Sequence, residues 1–217
     1  MNNIKLKEKG FTLVELIVVI AVFMLIVGVA IAILLSIIQN QRRILAQEQM
    51  LDQVSYAMEY MSKGLRMAKK DSTGSCLYYV DDAYIITEHF SGYVYLFTKP
   101  IGENYTGIKF INQSNNDACQ EFYLDSTGEN GVVKELQNQV DKDYSTALTS
   151  NQFNVDYLKF GVNGNIGLAG GESHGASEND TQQPRVTVIM GFQLPEDTSQ
   201  PEIKIQTTVS QRNLNAK

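Results

Sequence analysis

A chain of 217 residues has room for one globular domain and one further element, but not for two large domains. Its net charge of −6 is unevenly placed: residues 71–217 carry nine lysines and arginines against nineteen acids, while residues 42–70 carry six against three. An acidic C-terminal part repels phosphate, which argues against general nucleic-acid binding.

The first ten residues are basic, with Lys5, Lys7 and Lys9 against Glu8. Residues 16–35 then form a run of twenty without a charge, interrupted only by Gly28. As a helix this run spans about 30 Å, the thickness of a bilayer's hydrocarbon core. A soluble core helix would show a polar face, and none is present, so the segment is expected to insert in a membrane. Three readings compete: a cleavable secretory signal with Ala30 and Ala32 as its small residues, a simple anchor, or something that uses Glu15. A carboxylate at the mouth of an apolar run costs about 2.5–3.5 kcal/mol if it is carried to mid-membrane. Neither of the first two readings has a use for it.

The local string is Lys9-Gly10-Phe11-Thr12-Leu13-Val14-Glu15-Leu16. It resembles the prepilin cleavage and methylation motif of type IV pilins and type II secretion pseudopilins. The resemblance implies that a membrane-embedded prepilin peptidase cuts after Gly10 and N-methylates Phe11. It also implies that Glu15 meets the cationic N-terminal amine of a neighbouring subunit, since a charge in an apolar bundle is tolerated when an opposite charge pairs with it. Where many family members have a proline, this chain has Ala32. The implied partners are the peptidase, other pilin or pseudopilin subunits and an inner-membrane assembly platform. The implied location is the inner membrane, crossed once with the leader in the cytoplasm and the head exported, and afterwards a periplasmic or extracellular filament.

Between residues 36 and 70 there is no proline, and Gly64 is the only glycine. Ile44, Leu51, Met58 and Leu65 recur every seven residues, with Val54, Met61 and Ala68 three residues after the last three. This is a one-sided apolar stripe, read as the helix face on which a sheet packs, with a short coiled-coil seam as the rival reading. One helix is expected from about Phe11 to Lys70, ending at the polar cluster 69–74.

Beyond Gly74 come short runs rich in Tyr, Val, Ile and Phe, divided by Gly, Asn and Asp. Strands are expected at 76–80, 84–90, 93–98, 108–111, 119–124, 154–162, 186–194 and 203–209, with 132–148 a short helix or a loop. The last two strands flank a turn containing Pro195 and Pro201. The fold class is α+β: a long N-terminal helix with an antiparallel β-sheet head, which matches the ladle-shaped pilin fold the resemblance implies. The units are a leader (1–10), a membrane or filament-core helix (11–38), an amphipathic extension (39–70) and a β-rich head (71–217). Cys76 and Cys119 both follow the apolar run. If the head is exported, a disulfide between them persists, with two buried thiols as the alternative. The string Gln206-Thr207-Thr208-Val209-Ser210-Gln211-Arg212-Asn213 resembles the tail of larger minor pilins and J-type pseudopilins, which points to a minor subunit.

Other motifs carry less. Gly171-Glu172-Ser173-His174-Gly175 has the spelling of a nucleophile elbow but lies in a polar, Gly-rich stretch without the strand and helix the elbow needs. His89 and His174, the only histidines, are assigned structural or surface roles. Asp125-Ser126-Thr127-Gly128-Glu129-Asn130-Gly131 gathers oxygen atoms but departs from calcium-loop spacing and reads as a turn. The sequons at Asn104, Asn112 and Asn179 are chance occurrences in an Asn-rich head. No catalytic residue, cofactor or metal site is expected. The expected function is that of a structural assembly protein in a pilus, a secretion pseudopilus or a DNA-uptake filament, with an adhesin-type head as a further reading.

Overall fold

The computed structural model describes residues 10–80, 86–101, 104–138, 145–164, 166–168, 173–174, 183–193 and 202–212. The leader lysines, Gly171, Glu172, Gly175, Asn179, Pro195, Pro201 and Asn213 lie outside the described residues. The chain forms two compact units, residues 1–49 and 50–217. One helix, α1 (Leu13–Arg66), contributes to both.

In the first unit, α1 presents an uninterrupted apolar surface. From Leu13 to Ile38 its Leu, Ile, Val, Phe and Met side chains are almost all exposed, which water does not tolerate over so long a stretch. The helix is long and apolar enough to cross a membrane. Ile44, the first member of the expected stripe, is 53 % exposed.

The second unit begins within α1 and is otherwise made of strands: β1 (Ala68–Lys69), β2 (Tyr78–Val80), β3 (Ile86–His89), β4 (Tyr95–Ile101), β5 (Asn104–Asn112), β6 (Ala118–Asp125), β7 (Val132–Gln137), β8 (Thr146–Ala147), β9 (Asn154–Asn163), β10 (Ile166–Leu168), β11 (Ser173–His174), β12 (Arg185–Gln193) and β13 (Ile203–Ser210). The main sheet runs β11-β10-β4-β5-β6-β7-β8, with β1 also paired to β5. A second sheet runs β13-β12-β9, and β2 and β3 form a hairpin. All pairings are antiparallel except β10 with β4. The architecture is the expected α+β class.

Alternation along the strands separates two cores. Tyr95, Ile108, Phe110 and Phe122 join Met50, Val54, Met58, Met61 and Leu65 of α1 in the main core, which Val186, Val188, Met190 and Phe192 of β12 close from the second sheet. Leu96 and Ile111 point to the other face, where Cys76, Leu77 and Phe90 cover them. Disulfide-bonded Cys76 and Cys119 tie this cover to β6. The buried face of α1 differs from the expected stripe at its start: Met50 is buried and Leu51 is 39 % exposed. A 3.6-residue helix drifts against a strict seven-residue repeat, so the core meets Met50 and Ala57 as well.

Gly64 lets α1 lie close against the sheet. A Cβ there would stand 3.3 Å from Gln120, Phe110 and Phe122 alike. Beneath it lies a buried polar chain: Asn112 donates to Gln120, Gln120 and Gln137 donate to Glu135, and the Tyr60 hydroxyl donates to Glu135 at 2.9 Å. Burial, then the Glu135 contact, push the Tyr60 phenol up to about 12.

Two expectations are corrected. The helix stops at Arg66, not Lys70, because Ala68 and Lys69 pair with Asn112 and Ile111 of β5. The freed carbonyls find other donors: Leu65 accepts from the Tyr95 hydroxyl at 2.7 Å, Arg66 from the Arg212 N–H at 2.7 Å, Met67 from the Gln113 N–H at 3.0 Å and Ala68 from the Gln211 amide at 2.8 Å. Residues 132–137, expected as part of a short helix or a loop, form β7 against β6. The Val-Val-Lys-Glu-Leu string is short and only partly alternating, and cross-strand partners decide its state.

Candidate processing and assembly site

The site is built by the start of α1. Thr12 caps the helix: its Oγ1 accepts from the Glu15 N–H at 3.3 Å, and its carbonyl takes the first helical bond, from the Leu16 N–H at 3.2 Å. Threonine followed three residues later by glutamate is the capping-box pattern. It was readable in the sequence and gives Glu15 a local use: a carboxylate in the first turn lies at the positive end of the helix dipole. Glu15 therefore has a reason to stand where it does even in an isolated chain.

Gly10 and Phe11 precede the cap in non-helical backbone. Both are exposed, Phe11 at 84 %. A Cβ on Gly10 would meet no atom of the described residues within 4 Å. From Glu15 onward the helix offers one face-independent apolar surface, and Glu15 is its only charge before Arg42.

Residues 5–31 match the family model of the prokaryotic N-terminal methylation motif. The match supports a type IV pilin-like precursor. No curated protein and no solved structure matches the chain.

The remaining singled-out residues lie in the second unit. Cys76 and Cys119 are bonded, with Cα atoms 5.5 Å apart. Asp71, at the helix-to-strand turn, is buried and accepts backbone N–H bonds from Thr73, Gly74, Ser75, Cys76 and Leu77. Burial alone would raise its pKa, but the bonds led by Leu77 and Cys76 outweigh it and hold the carboxyl below the usual range. Composition gave no signal for this hub beyond an aspartate before a turn. His89 has a structural part, with its Nδ1 2.8 Å from the Gly74 carbonyl. Ser173 and His174 form β11, paired with Gly167 and Ile166. Asp125 accepts from Thr127 and pairs with Lys134 at 2.6 Å, and these contacts, Lys134 first, draw its carboxyl down to about 2. Asn112 is buried and spends its amide on Gln120 and Ser114. Among the described residues no three His, Cys, Asp or Glu side chains gather to hold a metal.

Proposed function

We propose that the chain is a subunit, of the minor class, of a type IV pilus-like filament. Residues 1–10 are removed by prepilin peptidase, and Phe11 becomes the N-methylated first residue. Residues 11–38 exchange lipid for neighbouring subunits' helices, residues 39–70 extend the rod, and residues 71–217 are carried outside as the head. A secretion pseudopilus or a DNA-uptake filament would use the same N-terminus.

The carrying observation is an exposed apolar helix with a single carboxylate at its mouth, inside a matched methylation motif. Gly10 adds support. Since no contact among the described residues requires glycine there, the requirement is ascribed to the peptidase that must seat this backbone. Glu15 stands one turn beyond the new amine, so the amine of one copy and the carboxylate of the next are available to neutralise each other in an apolar interior.

The test is N-terminal sequencing with intact mass on protein from the native membrane. A start at Phe11 carrying one added methyl group is expected. Retention of Met1, or a start near Ile33, would end the filament reading.

A further inference from the structure

The sequence holds two Asn-Gly pairs, Asn130-Gly131 and Asn163-Gly164. In such a pair the backbone nitrogen of the glycine can attack the side-chain carbonyl carbon of the asparagine, because no Cβ obstructs it. Asparagine is accordingly among the thermolabile residues. Both pairs share the same local chemistry, so a difference between them comes from the fold.

Asn130-Gly131 is held fast. The Asn130 amide donates to the Asn151 carbonyl at 2.9 Å, and the Gly131 N–H donates to Asn154 Oδ1 at 2.6 Å. Gly131 is buried, and its carbonyl accepts from the Val155 N–H at 3.0 Å. The attacking nitrogen is thus engaged, and the target side chain is turned to another partner.

Asn163-Gly164 is the opposite case. Asn163 is the last residue of β9 and is exposed. Among the described residues its side chain makes no hydrogen bond, and the Gly164 N–H has no acceptor. Gly164 has a φ of +113°, and a Cβ there would come within 3.1 Å of the Pro184 α-carbon. The turn out of β9 therefore fixes glycine at 164, and the same residue leaves the way to Asn163 open. Asn163 is held by its pairing with Arg185, and the end of a strand opens at little cost.

We propose that Asn163 is a self-modifying site, converting within the folded head to aspartyl and isoaspartyl forms. The Gly164 nitrogen gives its proton to solvent and bonds to Asn163 Cγ. The side-chain amide nitrogen takes up a proton and leaves as ammonia, and water then opens the five-membered imide at either carbonyl. The net change turns one amide and one water into a carboxylate and an ammonium ion. Opening one way restores the backbone and sets a carboxylate opposite exposed Arg185 on β12. Opening the other way adds a methylene to the chain where β9 turns, and breaks the strand repeat there. The reaction needs only water, and it stands whether or not the chain assembles into filaments.

The experiment holds the full chain in detergent, disulfide intact, in mildly alkaline buffer and follows both sites by peptide mass spectrometry. Asn163 should gain the mass of an amide-to-acid change about tenfold faster than Asn130, as two chromatographic isomers. In denaturant the two sites should convert at similar rates. Asn154→Ala, which removes the Gly131 acceptor, should speed Asn130 about tenfold and leave Asn163 unchanged. An intact Asn163, equal rates at the two folded sites, or a faster Asn130 would each overturn the proposal. So would a lead of Asn163 that persists in denaturant, or an Asn130 that stays slow in Asn154→Ala.

Discussion

The hydroxyl of Tyr95 donates to the carbonyl of Leu65 at 2.7 Å, from the first residue of a strand to the last turn of a helix. Tyr95 is fully buried, and its ring packs beside Phe110. Burial also pushes its phenol pKa up, so the group stays a neutral donor at any working pH. Tyr95→Phe keeps the ring and orphans the carbonyl. The head should lose about 1–2 kcal/mol, read as a lower midpoint in denaturant unfolding followed by tyrosine near-UV dichroism.

The two uses of Glu15 can be separated. Glu15→Gln keeps a residue suited to the third helical position of a capping box but removes the charge, whereas Glu15→Ala removes both. If pairing with a neighbour's amine is the role, both variants are cleaved normally and both enter filaments poorly. Normal incorporation of the Gln variant beside a defective Ala variant would assign Glu15 to capping instead. Immunoblots of sheared filaments against whole membranes give the ratio.

Asp71 serves five backbone donors with two oxygens, and an amide nitrogen cannot accept from any of them. Asp71→Asn should cost roughly 3 kcal/mol in head stability by equilibrium unfolding.

Acid should act through the same carboxylate. Its folded-state pKa lies below the ordinary value of 3.8, so its contribution is complete above that value and fades as pH falls towards the lowered one. Asp125, drawn down to about 2, loses its contribution between about pH 4 and about pH 2. Parent stability should therefore fall across that window, and the gap between parent and Asp71→Asn should narrow with it. A constant gap from pH 6 to pH 2 would contradict this account of Asp71.

The Cys76–Cys119 bond closes a separation of 43 residues. Replacing both cysteines with serine should cost about 4 kcal/mol on the chain-entropy account, measured as the difference in unfolding free energy without reductant. The first region to loosen should be the cover formed by Leu77 and Phe90, which hydrogen exchange would locate.

The long apolar helix, the α+β class and most long strands were legible in the sequence because each has a local cause. Twenty uncharged residues read as a spanning helix in any context, and Tyr-Val-Ile runs bounded by Gly and Asn read as strands. The end of α1 was not legible. Residues 67–70 carry no breaker, and only their pairing with Asn112 and Ile111 turns them from helix to strand. β7 and β10 were missed for the same reason, as partners distant in sequence define them. At the candidate site, Gly10, Phe11 and Glu15 were visible as a pattern. The cap by Thr12 was equally legible, as a threonine three residues before a glutamate.

The carbonyls of Arg66 and Ala68 are satisfied by Arg212 and Gln211, some 145 positions later in the chain. A chain that emerges N-terminus first holds that helix terminus unfinished until residues 211 and 212 follow. Completion of the second unit is thus gated by arrival of its trailing edge, and a chain stalled midway would present an open seam to proteases.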